Sequence, residues 1–255
     1  MALTGIEIFK LLPKTNCKEC GVPTCLAFAM SLAAGKAELS ACPHVSEEAK
    51  AKLVEASAPP ILPVTIGVGE GALKIGGQTV MFRHEKRFDN PCGFAILISD
   101  NMTEAEVNDR VGKFKTLVYE RVGLKLRADA VALKCDSGDA ARFEALAAKV
   151  KQDCDANIIL MSEKPELLAA GLKACADRKP LVYGANKDNF AQVAELAKAN
   201  KVPVAIKASG LDELADLSNK LNQAGVKDLV LDSGSRTMKQ AFQDQIAIRS
   251  LALNK

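Results

Sequence analysis

From about residue 93 onward the chain repeats one pattern six times. The runs FAILISD, ADAVALKCD, ANIILMS, PLVYGA, VPVAIKA and KDLVLDSG are continuously apolar rather than alternating, which is the pattern of parallel strands covered on both faces. Their centres recur roughly every 23 to 35 residues, with amphipathic segments between them. Those segments carry helix punctuation: Thr103 with Glu106 forms a capping box, and Gly225 stands where a helix should stop. Such a βα repeat with right-handed crossovers makes an α/β fold. A closed (β/α) barrel needs eight units and ~250 residues. Six units therefore leave two arrangements open, a doubly wound open sheet or a TIM-type barrel that is incomplete. Periodicity does not separate them.

The residues before this repeat behave differently. Thr4 to Leu12 predicts a short helix ended by Pro13. A second is expected from Thr24 into Ala34, since LAFAMSLAAG has no breaker before Gly35. A third follows Ser46, which suits an N-cap before Glu47 and Glu48. Ala56-Ser57-Ala58-Pro59-Pro60 reads as a linker, because its prolines favour extended backbone. VTIGVG, ALKIGG and TVMFRHE are then short, rich in β-formers and separated by glycine pairs, the signature of hairpins. The expected organisation is a helical domain over 1–57, a linker and hairpin segment over 58–92, and the βα region over 93–255.

Eight cysteines would suggest disulfides in a small secreted protein. This chain is long enough for a core, and its start, MALTGIEIFKLLPK, lacks the apolar stretch and cleavage site of a secretory signal. Cys92, Cys135, Cys154 and Cys175 are scattered and read as small buried hydrophobes. Cys17, Cys20, Cys25 and Cys42 crowd together as Cys17-x2-Cys20-x4-Cys25-x16-Cys42-Pro43. Four thiolates are the full complement of a tetrahedral zinc or of a [4Fe–4S] cluster. Three close ligands can fold one loop around a cube while a remote fourth closes it, and a Cys-Pro step occurs in ferredoxin cluster runs. Zinc sites more often show two CxxC knuckles, and the second is absent. Gly21 allows close backbone approach, and Cys25 at a helix start would place Leu26, Phe28 and Ala29 around the metal. With every corner ligated by protein, no iron is left open for substrate. The chemistry expected is electron transfer, with a purely structural metal as the alternative.

The stretch KTNCKECGVPTCLAFAMSLAAGKAELSACPHVSEEA, and after it ALKIGGQTVMFRHEKRFDNP, resemble the large subunit family of corrinoid iron–sulfur proteins, with the cysteine region most diagnostic. The resemblance implies a small helical [4Fe–4S] domain before a TIM-type barrel, here lacking its last two units and the family's C-terminal cobalamin domain. It implies that Cys17, Cys20, Cys25 and Cys42 hold the cluster. It further implies a role in anaerobic acetyl-CoA metabolism and carbon fixation. There the protein carries a methyl group on cobalt from methyltetrahydrofolate methyltransferase to acetyl-CoA synthase of the carbon monoxide dehydrogenase system. The cluster returns Co(II) corrinoid to Co(I). The implied partners are that methyltransferase, that synthase and a small subunit completing a heterodimer. Corrinoid is expected outside these residues, between the missing domain and the small subunit.

Other candidates weigh less. The C-terminal strand ends offer Asp100, Lys134, Asp136, Glu163, Lys207 and Asp232, where barrel enzymes keep catalytic groups. A strand-end lysine of lowered pKa could form a Schiff base, so a lyase or aldolase-like barrel is the enzymatic alternative. Gly67-x-Gly69-x-Gly71 lies between β-like segments, which favours a turn over a phosphate loop. His44 is expected at a helix entry, and His84 in a strand with Phe82. The net charge of +3, 4% aromatics and absence of Trp argue against a nucleic-acid partner. No apolar run reaches the ~20 residues of a membrane span. A cytoplasmic protein is expected. An incomplete barrel would also expose sheet edges at its first and sixth strands, which the parent protein or a partner should cover.

Overall fold

A computed structural model describes residues 4–33, 37, 39–50, 53, 60–82 and 84–253. The chain divides into two compact units, 1–60 and 61–254.

The first unit is helical. Helix α1 (Gly5–Leu11) begins with a reciprocal capping box: the Thr4 hydroxyl accepts from Glu7 N–H, and the Glu7 carboxylate accepts from Thr4 N–H at 2.8 Å. Helix α2 (Cys25–Ala33) follows, and a third helix, α3, covers 47–50 and 53 among the described residues. Ser46 caps it as expected, its hydroxyl accepting from Ala49 N–H at 3.2 Å. Ile8, Leu12, Phe28, Ala29, Val45 and Leu53 pack into one core that also takes in Cys25 and Cys42. The expected linker at residues 56–59 lies outside the described residues.

The second unit opens with an antiparallel hairpin of β1 (Val64–Ile66) and β2 (Leu73–Ile75). The βα repeat follows. Its parallel strands are β3 (Ala95–Ser99), β6 (Ala130–Lys134), β7 (Asn157–Met161), β8 (Leu181–Ala185), β9 (Val204–Lys207) and β10 (Leu229–Asp232). Its helices are α4 (Glu104–Thr116), α5 (Ala140–Asp153), α6 (Pro165–Cys175), α7 (Phe190–Asn200), α8 (Leu211–Gln223) and α9 (Met238–Leu253). Thr103 and Glu106 form the expected capping box on α4.

Strand order decides between the two arrangements. The sheet runs β10-β9-β8-β7-β6-β3, so each strand pairs with the next strand of the repeat, all in parallel. A doubly wound sheet reverses its order at a switch point, and this one never does. It is the winding of an incomplete TIM-type barrel. The two faces agree. Ile98, Val131, Leu133, Ile158, Leu160, Val182, Val204 and Ile206 alternate onto one face and bury themselves under the helices with Val107, Phe143, Leu168 and Leu217. On the opposite face, Ile66 of the first hairpin packs on Leu181 and Ala205. The hairpin thus covers part of the sheet face opposite the helices.

Three expectations need correction. Among its described residues TVMFRHE forms no strand. The carbonyls of Val80 and Met81 accept instead from the Arg249 guanidinium, so that segment's acceptors are taken by a side chain rather than by a ladder. His84 accordingly sits in a turn, its ring stacked on Phe82 with centroids 5.7 Å apart. The first strand is not covered on both faces, since Ala95 and Leu97 are exposed. A second hairpin, β4 (Tyr119–Arg121) with β5 (Leu124–Leu126), was not expected and is exposed throughout. It turns at Val122 and Gly123, both with positive φ.

Candidate metal centre

Cys17 and Cys20 sit on the loop between the end of α1 and the start of α2, and Cys25 is the first residue of α2. The backbone of this loop alternates in hand. Lys14, Asn16 and Lys18 have φ of 60°, 51° and 65°, while Thr15 and Cys17 between them do not enter the left-handed region; Gly21 has φ of 80°. Left-handed residues at alternate positions are one half of the backbone pattern that forms anion-receiving nests, iron–sulfur sites among them. It is costly, because an L-residue in the left-handed region gives up ~1–2 kcal/mol. Only Asn tolerates that region readily, yet two of the three non-glycine positions are lysines.

Asn16 holds the loop in place. Its side-chain oxygen accepts from Cys25 N–H at 2.8 Å, at the start of α2. Its own N–H donates to Cys25 Sγ at 3.4 Å. One residue therefore fixes the loop against the helix and supplies a sulfur hydrogen bond of the kind that tunes cluster potential.

The four thiols are graded in depth. Cys25 and Cys42 are 5% and 4% exposed, within the core of this unit. Cys20 is half-buried and Cys17 is exposed, and all four are free of disulfides. Phe28 and Ala29 are buried in the same core as Cys25 and Cys42, whereas Leu26 is 45% exposed. His44 does more than open a helix. Its Nε2 lies 2.9 Å from Glu19 Oε2, and donor atoms of Cys17, Glu19 and His44 all fall within 4.8 Å of one another. The donor set suits a bulky anionic cluster: four free thiols, one of them accepting a backbone N–H, and an apolar floor.

The strand ends of the second unit are saturated with internal partners. Asp100 is buried and accepts from Ser137 Oγ at 2.5 Å, Cys135 Sγ at 3.2 Å, and the N–H groups of Asp136 and Ser137. Burial works to raise its carboxyl, but these donors outweigh it and hold the group below its usual range. Lys134 pairs with Asp136 at 2.6 Å, and that hydrogen bond and charge push its amine upward. A Schiff-base lysine needs the opposite shift. Lys207 pairs with Glu163 at 2.6 Å. Asp232 accepts from Tyr183 at 2.5 Å and from both terminal nitrogens of Arg236. Burial opposes ionisation there, yet Arg236, Tyr183 and Gly234 N–H bring Asp232 down to about 2, while burial and the Asp232 bond push Tyr183 up to about 12.

Cys154 and Cys175 are buried, their thiols donating to backbone carbonyls, and burial drives Cys175 up to about 12. Cys135 is half-buried, with its thiol raised by burial and by Asp100. Cys92 is exposed, contrary to expectation. Gly67 and Gly69 belong to the turn of the first hairpin and open no helix. Among the described residues, no helix is long and apolar enough to cross a membrane.

Comparison with known families agrees with both units. Residues 63–255 match the family described as "CO dehydrogenase/acetyl-CoA synthase delta subunit". Residues 12–44, which contain all four clustered cysteines, match the family described as "Putative Fe-S cluster". The corrinoid/iron-sulfur protein large subunit of Moorella thermoacetica is 45% identical over 255 residues, covering 100% of this chain and 57% of that protein. The acetyl-CoA decarbonylase/synthase complex subunit gamma of Methanosarcina acetivorans is 42% identical, over 96% of this chain and 54% of that protein. The corresponding subunit of Methanothermobacter thermautotrophicus is 33% identical, over 99% and 56%. The chain spans about half the length of the curated relatives it matches.

Proposed function

The chain belongs to the CO dehydrogenase/acetyl-CoA synthase delta subunit family, and from that premise we propose that it is the cluster-bearing part of a corrinoid methyl carrier. In this reading residues 1–57 form a [4Fe–4S] module on Cys17, Cys20, Cys25 and Cys42. Residues 58–92 lead from it into the barrel of 93–255. When bound, the cluster supplies one electron that returns Co(II) corrinoid, held outside these residues, to Co(I). The partners are a small subunit, methyltetrahydrofolate methyltransferase and acetyl-CoA synthase, in the cytoplasm.

The observation that carries the reading is the loop from Lys14 to Cys25. Lys14, Asn16, Lys18 and Gly21 hold left-handed backbone, the Asn16 N–H donates to Cys25 Sγ, and two of the four thiols lie on the apolar floor. These residues would bind the group, exclude water from its inner side and leave its outer side accessible at Cys17. The strand ends support no independent catalyst, because their lysines are ion-paired.

A second reading has one observation behind it. Cys17, Glu19 and His44 are close enough to hold a single ion, which would make the metal a structural staple. EPR of anaerobically purified protein, before and after a low-potential reductant, separates the two when iron and zinc are quantified on the same sample. The cluster reading expects about four irons per chain and an S = 1/2 signal that appears only on reduction. It also expects His44→Ala to keep its iron. One zinc without a signal, lost in His44→Ala, would establish the staple instead.

A further inference from the structure

The exposed corner of the site has neighbours that the other cysteines lack. Of the four clustered thiols only Cys17 is exposed; Cys20 is half-buried, and Cys25 and Cys42 lie in the core of the first unit. Glu19 and His44 stand beside Cys17, their side chains 55% and 47% exposed. Donor atoms of the three residues all lie within 4.8 Å of one another, and among the described residues no such group forms around Cys20, Cys25 or Cys42. His44 Nε2 sits 2.9 Å from Glu19 Oε2, and no other hydrogen bond engages that carboxylate among the described residues.

Two ligand atoms on one tetrahedral metal, each at ~2.0–2.3 Å, stand roughly 3.5 Å apart. Donors already within 4.8 Å of one another therefore reach a common iron by shifts of about 1 Å, which side-chain rotation supplies. The two donors beside Cys17 are not equivalent. An ionised carboxylate carries the same single negative charge as a thiolate, whereas a ligating imidazole is neutral. Exchange of Cys for His raises a cluster's potential, so the carboxylate is the substitute that disturbs the site less. The imidazole is moreover engaged with Glu19, which fixes the direction of the carboxylate.

We propose that Glu19, oriented by His44, is a reserve ligand for the corner iron that Cys17 holds, so that the cluster keeps all its iron when this exposed thiolate leaves. The inference rests on the four-cysteine cluster reading and adds a fifth donor to that site. The exchange is redox-neutral. The Fe–Sγ bond to Cys17 breaks with its electron pair staying on sulfur, a Glu19 carboxylate oxygen donates a pair to form an Fe–O bond, and no electron leaves the cluster.

The test uses the full chain, purified anaerobically with its cluster, and reads iron, sulfide and EPR on the same samples. Cys17→Ala is expected to retain about four irons per chain and a signal that appears only on reduction. Cys20→Ala, with no such group beside it, should fall to about three irons and show its signal in the oxidised state. Cys17→Ala/Glu19→Gln is expected to behave like Cys20→Ala, whereas Glu19→Gln alone keeps about four. Cys17→Ala/His44→Ala should release iron to a chelator at least ~10-fold faster than Cys17→Ala, and His44→Ala alone should release it no faster than wild type. Wild-type protein gives a reading that needs no cysteine variant. Iodoacetamide, which forms an S–C bond and expels iodide, should mark Cys17 before the other three by peptide mapping while iron stays at about four; Glu19→Gln treated in the same way should drop to about three. If Cys17→Ala yields no folded protein, the alkylation pair decides. Loss of the corner iron from Cys17→Ala or from alkylated wild type would overturn the reserve role, as would its retention in Cys17→Ala/Glu19→Gln or in alkylated Glu19→Gln. Untreated wild type without about four irons would instead remove the four-cysteine reading, and the proposal with it.

Discussion

Asn16 is the residue on which the geometry of the site makes its sharpest demand. It does two jobs that substitution can separate. Its side chain accepts from Cys25 N–H at 2.8 Å, and its backbone sits at φ 51°. Losing the side-chain bond costs about 1 kcal/mol. Placing a Cβ without a compensating polar group in the left-handed region costs ~1–2 kcal/mol more. Asn16→Gly loses the bond but relaxes the backbone, so its expected cost is about 1 kcal/mol. Asn16→Ala bears both effects, at about 2–3 kcal/mol. The order of the two variants is therefore opposite to ordinary helix propensity, in which Gly is worse than Ala. The assay is urea titration of anaerobically purified protein, followed by the visible absorbance of the cluster, which reports the first unit alone. Thr15→Ala serves as the reference, because the backbone of Thr15 itself is not left-handed and its side chain is exposed. An unchanged m-value with a lowered midpoint would place the effect in stability. A glycine variant weaker than the alanine variant would refute the reasoning, as would an alanine variant within about 0.5 kcal/mol of wild type.

Cys42→Ser is expected to lose most of its iron, whereas Cys92→Ser keeps about four irons per chain; iron quantification on both decides whether the remote cysteine is a ligand. Gly171→Ala should destabilise the barrel unit by about 1–2 kcal/mol despite a better helix residue, because the new Cβ would lie 2.8 Å from Phe143 Cε1 and 3.1–3.2 Å from Leu160. Phe143→Leu in the same chain should relieve that penalty, which chemical denaturation of the four members of the cycle would measure. Asp232 has a folded-state carboxyl at about 2 against an ordinary 3.8. It thus contributes stability that is present above about pH 4 and lost as pH falls toward 2. Asp232→Asn should flatten that part of the acid limb, read from urea midpoints at successive pH values.

The parts of the fold that were legible are those where sequence and environment agree. Runs such as ANIILMS and VPVAIKA are apolar without alternation because their strands are covered on both faces, and Thr103 with Glu106 announced the start of α4. The segment TVMFRHE misled because propensity alone does not supply a partner strand: Arg249, far away in the chain, takes the carbonyls a ladder would have used. The hairpin of β4 and β5 hid because its turn is Val122-Gly123 rather than Asn-Gly, and a β-branched residue at positive φ is a poor turn signal. At the metal centre the cysteine spacing was visible, but the handedness of the loop was not. Lys14 and Lys18 are residues that do not advertise a left-handed backbone. Asn16 was the available clue, since Asn tolerates that region, and it lies directly before the first cysteine.

The unreversed strand order has a consequence for how the barrel unit comes apart. Within the sheet each strand pairs only with the strands next to it in the repeat, so the unit behaves as a short stack in which cohesion passes from layer to layer. Loss of order then begins at the two ends, where β3 exposes Ala95 and Leu97 and β10 is only partly covered. It proceeds inward to β7 and β8, whose side chains are mostly buried. Amide protons of the central strands should outlast those of the flanks by the margin that separates local opening from global unfolding. A fold of this kind grows or shrinks by whole layers, and any added layer finds its hydrogen-bonding edge already in place.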